Sequence, residues 1–450
     1  MLLFILIVLT LVTHSFASLT VVGSKFFYPN GTQFFVKGIS YQLVPEDPLI
    51  DTEQCQRDVT SMTELGANAI RVYHVDPSAD HRGCMKTLAD AGIYLFVDLD
   101  TFNTAIEQDS PHWNTTQFEA FRAVLDEFQQ FDNTAAVFVG NEVLTTKNGA
   151  AAAPYVLAAA HDIKVYRDHM KYRPIPVGYS AADIAELRPM LQNYFACKPN
   201  HIDRLDFFAL NAYEWCGRSS YIASGYMDLQ KNASGYPIPI LFSETGCNVA
   251  RPRTFADQSS VFGGYMNETW SGSIVYEWIQ EMNDYGLISY GPRDPNGAAA
   301  LATNSIVFDG FTRKGTPTPV SPDFYNLKSQ WATLSPTGVA LSDYIHKTSE
   351  ITAPVCPEST AGGWSVNPSD TLPVLFGRTP AATAASPTNK GIPSGIYVTA
   401  NVQQTGVLGS KAPKGKGKSS HSNDAANLID LSILMSGCVV IITGMVTWWL

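Results

Sequence analysis

The sequence predicts an α/β fold, a (β/α)8 barrel with extended loops, and three observations support this expectation. A short apolar or β-branched run that ends in polar residues recurs eight times. Helix-patterned segments lie between several of these runs. The runs are apolar on both faces, which is typical of parallel strands covered by helices. The runs are 33–42, 67–76, 93–100, 135–142, 175–183, 205–215, 238–246 and 272–279.

Segments 51–67, 84–92 and 116–131 carry apolar residues at helical spacing, and Gly66 suits the end of the first. The alternative to a barrel is a doubly wound open sheet. That fold would place a glycine-rich phosphate-binding loop after its first strand, and no such loop follows residues 33–42. Eight parallel strand–helix units therefore favour the closed barrel.

The first 17 residues are almost entirely apolar and end in Ser15-Phe16-Ala17, a small-x-small sequence. This pattern predicts a secretory signal peptide, 1–17, although the usual basic residues at its start are absent. A membrane anchor and a buried strand are the alternatives. The run is too short to span a bilayer, and small residues follow it.

A second apolar stretch, Leu431–Leu450, carries no charge. Transmembrane helices usually have flanking Lys or Arg, and this stretch has none. Small residues and a polar spacer precede it, which is the pattern of a GPI-attachment signal whose tail is removed. We expect attachment at Ser422 or Asn423 and removal of residues 428–450, with a retained single span as the alternative.

Residues 357–427 are rich in Pro, Ser, Thr, Ala and Gly and have few aromatic residues. Such a segment buries too little apolar surface to offset chain entropy, which predicts a disordered stalk. Its basic run, residues 411–418, is interpreted as a solvated linker, and attraction to anionic head groups or wall polymers is the alternative. Residues 18–356 are then the folded barrel with its extension.

The composition fits a secreted protein. Thirty Lys and Arg against 41 Asp and Glu give a formal net charge of −11, which argues against a nucleic-acid partner.

Six of the seven cysteines precede the predicted tail, and this even number predicts three disulfides. No Cys-x-x-Cys and no His cluster is present, so we expect neither a metal nor an organic cofactor. Four sequons suit N-glycosylation: Asn30, Asn114, Asn232 and Asn267.

The active site of a (β/α)8 barrel lies at the carboxyl ends of its strands. The residues that end the eight runs are carboxylates, amides and aromatics. This lining suits a sugar, because aromatic rings stack on sugar rings while polar side chains pair with hydroxyls. The candidates are Tyr41, Gln42, Arg71, Tyr73, Asp76, Asp98, Asp100, Asn141, Glu142, Asp183, Asn211, Tyr213, Glu214, Glu244, Tyr276 and Glu277.

Glu142 and Glu244 end the fourth and seventh runs, in the sequences GNE and FSETG. These strand ends face each other across a barrel mouth. Two carboxyls about 5–5.5 Å apart suit a retaining glycosidase, one as acid/base and one as nucleophile. The acid needs a raised pKa and the nucleophile a normal or lowered pKa. Asn141 suits a contact with the sugar 2-hydroxyl, and Tyr213 or Tyr276 suits a hydrogen bond to Glu244.

Glu214 and Glu277 are the rival carboxylates. Each follows a tyrosine in its run, and strand alternation turns it away from the side that its tyrosine faces, which predicts structural roles. A capping or ion-paired role is the alternative for Glu142 and Glu244. Arg71 is expected to orient a carboxylate rather than to bind phosphate, because no glycine-rich loop accompanies it.

Several long stretches resemble glycoside hydrolase family 72, the fungal Gas/Gel β-1,3-glucanosyltransferases, which are retaining, GPI-anchored and barrel-shaped. These stretches are 67–77, 140–142, 206–217, 242–248 and 276–287. The resemblance covers residues 20–356 and implies that Glu142 is the acid/base and Glu244 the nucleophile. It implies sugar contacts for Gln42, Tyr73, Asp98, Asn141, Tyr213 and Tyr276, to which we add Asp183 and Arg188 as substrate-binding candidates. It implies the disulfides Cys55–Cys84, Cys216–Cys247 and Cys197–Cys356, the last tethering a short C-terminal extension.

Two features depart from the common family form. Thr245 follows the predicted nucleophile, where the family commonly has Tyr. Only Cys356 and Cys438 remain after the barrel, so the Cys-rich carbohydrate-binding module of some members is absent. The chain resembles the members that lack this module.

Three functions remain open from the sequence. The resemblance favours a transferase that cuts β-1,3-glucan internally and joins the new reducing end to the non-reducing end of another chain, elongating cell-wall glucan. A retaining endo-β-1,3-glucanase and an inert wall glucan-binding protein are the alternatives. Transfer needs an acceptor platform, for which Tyr41, Tyr213, Trp215 and Tyr290 are candidates, with core packing as the alternative for each. We expect a monomer at the plasma membrane and cell wall, with glucan donor and acceptor chains as its partners.

Overall fold

The computed structural model describes residues 18–293, 307–360 and 363–376. The predictions for residues 1–17 and 411–418, for attachment at Ser422 or Asn423, and for removal of 428–450 concern residues outside this described part. They remain predictions. Among the described residues, no helix is both long enough and apolar enough to cross a bilayer.

A small antiparallel sheet precedes the barrel. Its strands are β1 (Thr20–Val22), β2 (Lys25–Phe27) and β3 (Gln33–Phe34), paired in the order β1-β2-β3. Phe26 on β2 meets Phe96 and Phe207 edge to face, with ring centroids 6.2 and 5.8 Å apart. This sheet therefore covers the amino-terminal end of the barrel with apolar side chains.

Eight parallel strands form a closed barrel and follow one another around it in chain order. They are β4 (Val36–Ser40), β5 (Ala69–Val72), β6 (Tyr94–Asp98), β7 (Thr134–Asn141), β8 (Val177–Ala182), β9 (Phe207–Asn211), β10 (Ile240–Thr245) and β11 (Trp270–Val275). Each predicted run overlaps one of these strands, so the barrel prediction is confirmed. Inside, Phe96, Phe138 and Phe207 pack against one another with ring centroids 5.1–6.3 Å apart, which makes the interior a packed core.

Helices cover the outside of the barrel. In the described residues they are α1 (Thr52–Leu65), α2 (Arg82–Asp90), α3 (Thr115–Phe128), α4 (Ala153–His169), α5 (Arg188–Ala196), α6 (Tyr226–Ala233), α7 (Asp257–Val261), α8 (Asp323–Thr333) and α9 (Leu341–Tyr344). The first three match the predicted segments closely. The Asp51 carboxylate accepts the Gln54 N–H at 3.0 Å at the start of α1. Gly66 ends α1 in the left-handed conformation, with a φ of 88°.

Two short ribbons follow the last barrel strand. They pair β12 (Ile288–Ser289) with β15 (Thr318–Pro319), and β13 (Val307–Phe308) with β14 (Phe311–Thr312). These ribbons lie in the long segment between β11 and α8. Helix α8 then packs against α1 and α7 in the outer layer.

Three disulfides link the helical layer, the loops and the C-terminal extension. Cys55–Cys84 joins α1 to α2, and Cys216–Cys247 joins the loops that follow β9 and β10. Cys197–Cys356 ties the extension to the end of α5. These are the three pairs that the family resemblance implies, and the second of them braces two loops at the carboxyl end of the barrel.

Residues 363–376 differ from the sequence prediction, which assigned them to a disordered stalk. Trp364 is fully buried, with its ring centroid 5.3 Å from that of Tyr194 on α5. Phe376 packs edge to face on Phe118 of α3 at 4.7 Å, and the Leu375 N–H donates to Asp162 on α4 at 2.8 Å. Composition averaged over 357–427 concealed this short apolar segment, so packed chain continues about twenty residues beyond the predicted boundary.

Candidate active site

Arg71 on β5 lies at the centre of the candidate site and is fully buried. Its guanidinium donates to both carboxylate oxygens of Asp98, at 3.0 and 2.8 Å. It also donates to Asn141 Oδ1 at 3.0 Å and Ser180 Oγ at 3.1 Å, and Nη1 lies 3.5 Å from Glu244 Oε1. A planar cation with five donors thus organises the floor of the barrel mouth. Asp98 is 1 % exposed and both its oxygens bind Arg71, so it holds Arg71 in the free protein, and its expected sugar contact stays a prediction.

Glu244, near the end of β10, is held by two tyrosines. Tyr213 donates to Oε2 at 2.7 Å and Tyr73 donates to Oε1 at 2.9 Å. The sequence predicted Tyr213 or Tyr276 as the donor, and the structure supplies Tyr213 together with Tyr73. Tyr276 lies against the Tyr73 ring, with centroids 6.5 Å apart. Hydrogen bonds and the nearby Arg71 therefore fix the direction of the Glu244 carboxylate.

Burial dominates the electrostatics of Glu244. It raises the pKa of Glu244 to about 7, although Arg71 and the hydrogen bonds from Tyr213 and Tyr73 lower it; the neighbouring Glu142 raises it further. The expected normal or lowered pKa for this carboxyl is therefore wrong for the free protein, because desolvation outweighs the donors. A phenol O–H that points at a carboxylate still favours the ionised form over the protonated form.

Glu142 directly follows β7 and is half-buried. Its φ is 48°, a left-handed conformation that costs a non-glycine residue about 1–3 kcal/mol. Its N–H donates to the Ser180 carbonyl at 2.8 Å, and its Oε1 accepts a hydrogen bond from Asn211 Nδ2 at 2.9 Å. These bonds hold the residue in the turn that presents its carboxyl group at the barrel mouth.

Asn211 is the hub of a polar network that joins four strands. Its Nδ2 also donates to Asn141 Oδ1 at 3.1 Å, while its Oδ1 lies 3.0 Å from Ser180 Oγ and 2.8 Å from Ser243 Oγ. The sequence placed Asn211 among the strand-end candidates without a role, and it missed both serines. Each serine lies inside an apolar run, where a small polar residue carries no distinguishing signal.

A cavity of about 380 Å³ opens beside Glu142. Its lining is Glu142, Asp183, Asn211, Tyr213 and Glu214. Arg188 forms an ion pair with Asp183, and its Nη2 lies 3.6 Å from Glu214. The structure therefore brings Asp183 and Arg188 to the mouth as expected. It also brings Glu214 there, contrary to the predicted structural role.

Glu277 is buried and lies outside this cavity lining. Its Oε1 accepts a hydrogen bond from Asn283 Nδ2 at 2.7 Å, and burial followed by the proximity of Glu281 raises its pKa well above the usual value. A buried carboxyl that braces a loop agrees with the structural role expected from the sequence. Glu281 in turn pairs with Arg313.

Gln42 uses its side chain to hold loop backbone. Its Oε1 accepts the N–H groups of Tyr73 and His74 at 2.9 and 3.2 Å, and its Nε2 donates to the Val44 carbonyl at 2.8 Å. With both ends of the amide occupied, Gln42 positions Tyr73 and thereby Glu244. The direct sugar contact implied by the resemblance stays a prediction.

Two of the four platform candidates belong to the core. Tyr41 and Tyr290 both donate to Asp58 on α1, at 2.8 and 2.7 Å, and Tyr41 is buried. Trp215 packs on Tyr226 with ring centroids 5.2 Å apart. Tyr213 alone of the four both touches a candidate catalytic carboxylate and lines the cavity. No group of three His, Cys, Asp or Glu residues within the described ranges is arranged to hold a metal ion.

An eight-stranded barrel with two glutamates at its carboxyl mouth is the arrangement of a glycoside hydrolase. A sequence model of the glycoside hydrolase family 72, described as glucanosyltransferase, matches residues 8–302. The chain therefore belongs to this family.

Named relatives agree with this assignment. The 1,3-beta-glucanosyltransferase gas2 of Schizosaccharomyces pombe is 37% identical over 406 residues, which cover 85% of this chain and 82% of that protein. The 1,3-beta-glucanosyltransferase GAS2 of Saccharomyces cerevisiae is 36% identical over 369 residues, 78% of this chain and 62% of that protein. The chain thus spans less than two thirds of the budding yeast relative.

A solved structure extends the likeness to three dimensions. Gas2p of S. cerevisiae, as a mutant in complex with laminaritetraose and laminaripentaose, superposes with a TM-score of 0.68 at 36% identity. The match covers 78% of this chain and 74% of that one.

Proposed function

We propose that this chain is a retaining β-1,3-glucanosyltransferase. It cleaves a β-1,3-glucan chain internally and transfers the new reducing end to the non-reducing end of another β-1,3-glucan. The observation that carries the proposal is the setting of Glu244, a buried carboxylate aimed by Tyr73, Tyr213 and Arg71 with Glu142 beside the adjoining cavity. The names of the relatives supply the substrate class and the transfer reaction.

In the first step the ionised Glu244 attacks the anomeric carbon while Glu142 gives its proton to the departing glycosidic oxygen. The C–O bond to the leaving chain breaks as the bond to Glu244 forms, which gives a covalent glycosyl-enzyme. In the second step Glu142, now ionised, takes the proton of an acceptor hydroxyl. That oxygen attacks the anomeric carbon and releases Glu244 with net retention.

Asn141 is positioned to serve the transition state. Its Oδ1 faces inward and accepts hydrogen bonds from Arg71 and Asn211. Within the described residues its Nδ2 makes no hydrogen bond, so this donor is available to the 2-hydroxyl of a bound sugar. Such a contact strengthens as the oxocarbenium-like transition state develops.

The cavity beside Glu142 suits the acceptor. Asp183, Arg188 and Glu214 line or adjoin it, and each can bind sugar hydroxyls. Transfer exceeds hydrolysis when a bound acceptor hydroxyl is oriented ahead of water, because orientation replaces the entropy cost of a bimolecular encounter. Tyr213 belongs to both the cavity and the Glu244 contact, and it can connect the two halves of the reaction.

The sequence signals at the chain ends support a place of action. We propose that the protein is secreted as a glycosylated monomer and is held at the plasma membrane and cell wall by a GPI anchor at Ser422 or Asn423. Asn30, Asn114 and Asn232 are exposed and Asn267 is half-buried, so all four sequons have accessible surface.

The test uses the secreted protein and a reduced laminari-oligosaccharide, with products separated over time. Transfer predicts products longer than the starting chain that appear together with a short reduced fragment. If all products are shorter than the starting chain, the protein is an endo-β-1,3-glucanase. If the substrate does not change, the inert glucan-binding protein is the remaining alternative. Release of the protein from cells by a GPI-specific phospholipase tests the anchor separately.

A further inference from the structure

An exposed phenylalanine stacks on a half-buried histidine on the β5–β6 side of the barrel mouth. Phe102 follows the end of β6 by four residues and is 54% exposed. Its ring stacks on the imidazole of His74, with centroids 4.5 Å apart and planes inclined by 22°. A solvent-exposed phenylalanine held flat against a second ring presents a fixed apolar face.

A tight turn holds Phe102 in place. The Thr104 N–H donates to the Thr101 carbonyl at 3.0 Å and closes a four-residue turn, and the Thr101 N–H donates to Thr104 Oγ1 at 2.8 Å. Asn103, next to Phe102, has a φ of 67°, a conformation that Asn tolerates. Two hydrogen bonds that involve the backbone therefore fix the turn that carries this exposed ring.

Two buried polar atoms occur in the residues that adjoin this ring. They are His74 Nδ1 and Asp100 Oδ1, and neither has a hydrogen-bond partner of normal geometry among the described residues, although the Asp100 backbone lies next to both side chains. A buried polar atom without a partner costs about 1–3 kcal/mol, so such atoms call for a ligand or for water. Polar atoms beside an exposed aromatic face are the combination that binds a glucose residue, whose ring is apolar on its faces and polar at its rim.

The topology places this cluster at the barrel mouth, on the arc away from the cavity beside Glu142. Going around the barrel from β7 to β10, β8 and β9 carry that cavity on one arc, and β11, β4, β5 and β6 form the other arc. His74 follows Tyr73, which bonds Glu244, and Asp100 lies two residues after Asp98, which holds Arg71. The cavity beside Glu142 and the Phe102 ring therefore lie on opposite arcs, with the two glutamates between them.

We propose that Phe102, His74 and Asp100 form a glucose-binding subsite for the donor chain, remote from the bond that is cleaved. This inference rests on the proposed transferase function. The donor fragment that becomes attached to Glu244 lies on the side opposite the leaving chain. Phe102 then stacks on a distant glucose residue of that fragment and selects donors long enough to reach it.

The experiment compares Phe102→Ala with the wild-type protein on reduced laminari-oligosaccharides of increasing length. We expect kcat/KM to fall about tenfold for long donors and to stay unchanged for donors too short to reach the subsite. The transferred fragments should also become shorter, because binding no longer favours the register that fills the subsite. Phe102→Tyr should restore both readouts, since it keeps the stacking ring.

A matched control is Tyr325→Ala on α8, which removes a 49% exposed aromatic residue from the outer helical layer and should change neither readout. An equal loss at every donor length, or no loss at any length, would overturn the subsite. If the wild-type protein shows no turnover, the proposed function fails on its own. The subsite is then decided by laminarihexaose binding to Glu244→Gln with and without Phe102→Ala, where equal affinities refute it.

Discussion

The two glutamates at the barrel mouth occupy contrasting environments. Glu244 is 5 % exposed, accepts hydrogen bonds from Tyr73 and Tyr213, and lies beside Arg71. Glu142 is half-buried and accepts one amide hydrogen bond, from Asn211, within the described residues. A nucleophile must be held in one place and must react in its ionised form; Arg71 and the two tyrosines fix its direction and offset part of the rise in pKa that burial causes. An acid/base must lose and regain a proton in each turnover, which a single neutral donor and an open cavity permit.

Replacing each glutamate by glutamine should have the largest effect and should separate the two roles. We expect Glu244→Gln to lower turnover of glucan by more than about 10⁴-fold, because no covalent intermediate forms. Glu142→Gln should lower it by about 10²–10⁴-fold, since proton transfer is lost. A laminaribiosyl fluoride donor distinguishes them, because fluoride leaves without protonation. Intact mass measurement should show a glycosyl-enzyme on Glu142→Gln and none on Glu244→Gln.

Both variants keep the shape of the side chain, so their unfolding transitions provide the control. If folded Glu244→Gln formed the glycosyl-enzyme and folded Glu142→Gln did not, the assigned roles would be reversed. A folded Glu244→Gln protein with wild-type turnover would remove Glu244 from the mechanism.

Asn211→Ala should have the next largest effect and tests what aims Glu142. Without the amide, Glu142 loses its donor while the hydroxyls of Ser180 and Ser243 lose an acceptor. We expect kcat on glucan to fall about 10- to 100-fold, as for loss of an interaction that orients a reacting group. With the fluoride donor, the rate of glycosyl-enzyme formation should fall much less, because fluoride leaves without a proton from Glu142. If this rate fell equally with both donors, the substitution would have disturbed the whole polar network around Asn211 and not Glu142 alone.

Tyr213→Phe should act on Glu244 through its pKa. The phenol O–H stabilises the ionised carboxylate, so its removal raises the pKa of Glu244 further above its usual range. Because the ionised form reacts, the acidic limb of the kcat/KM profile should move to higher pH by about one to two units. The basic limb should stay in place. Tyr285→Phe, whose ring lies 5.7 Å from that of Tyr213, is the matched control and should shift neither limb.

The barrel strands and the two glutamates were predictable because each signal is local. An apolar run identifies a buried parallel strand, and the residue at its carboxyl end lies at the mouth whatever the loops do. Asn141 ends β7 in this way, and Glu142 directly follows it. The family resemblance added the cysteine pairs, which spacing alone leaves open.

The remaining details depended on where each strand stops. β9 ends at Asn211, so Tyr213 and Glu214 lie in the following loop, where strand alternation no longer decides which way a side chain points. Glu214 therefore lines the cavity together with Tyr213, although strand alternation predicted that it faces the opposite side. Tyr73 became a donor to Glu244 because Gln42 holds the loop after β5, a long-range contact that no single run of sequence encodes.

Thr245 should have the smallest effect, although it adjoins Glu244 and departs from the common family form. It is the last residue of β10, and an irregularity in the strand register after Phe242 breaks the alternation, so that Ser243 and Glu244 both face the interior while Thr245 faces the helical layer. There its Oγ1 lies 3.4 Å from Tyr226 Oη and 3.3 Å from Asp257 Oδ2. Thr245→Val keeps the shape and removes these contacts. We expect kcat/KM to stay within about twofold and the free energy of unfolding to fall by about 1 kcal/mol, measured by urea denaturation. A large loss of activity at unchanged stability would show that the helical side of β10 controls the nucleophile, and the contrast between the two glutamates would then extend beyond the mouth.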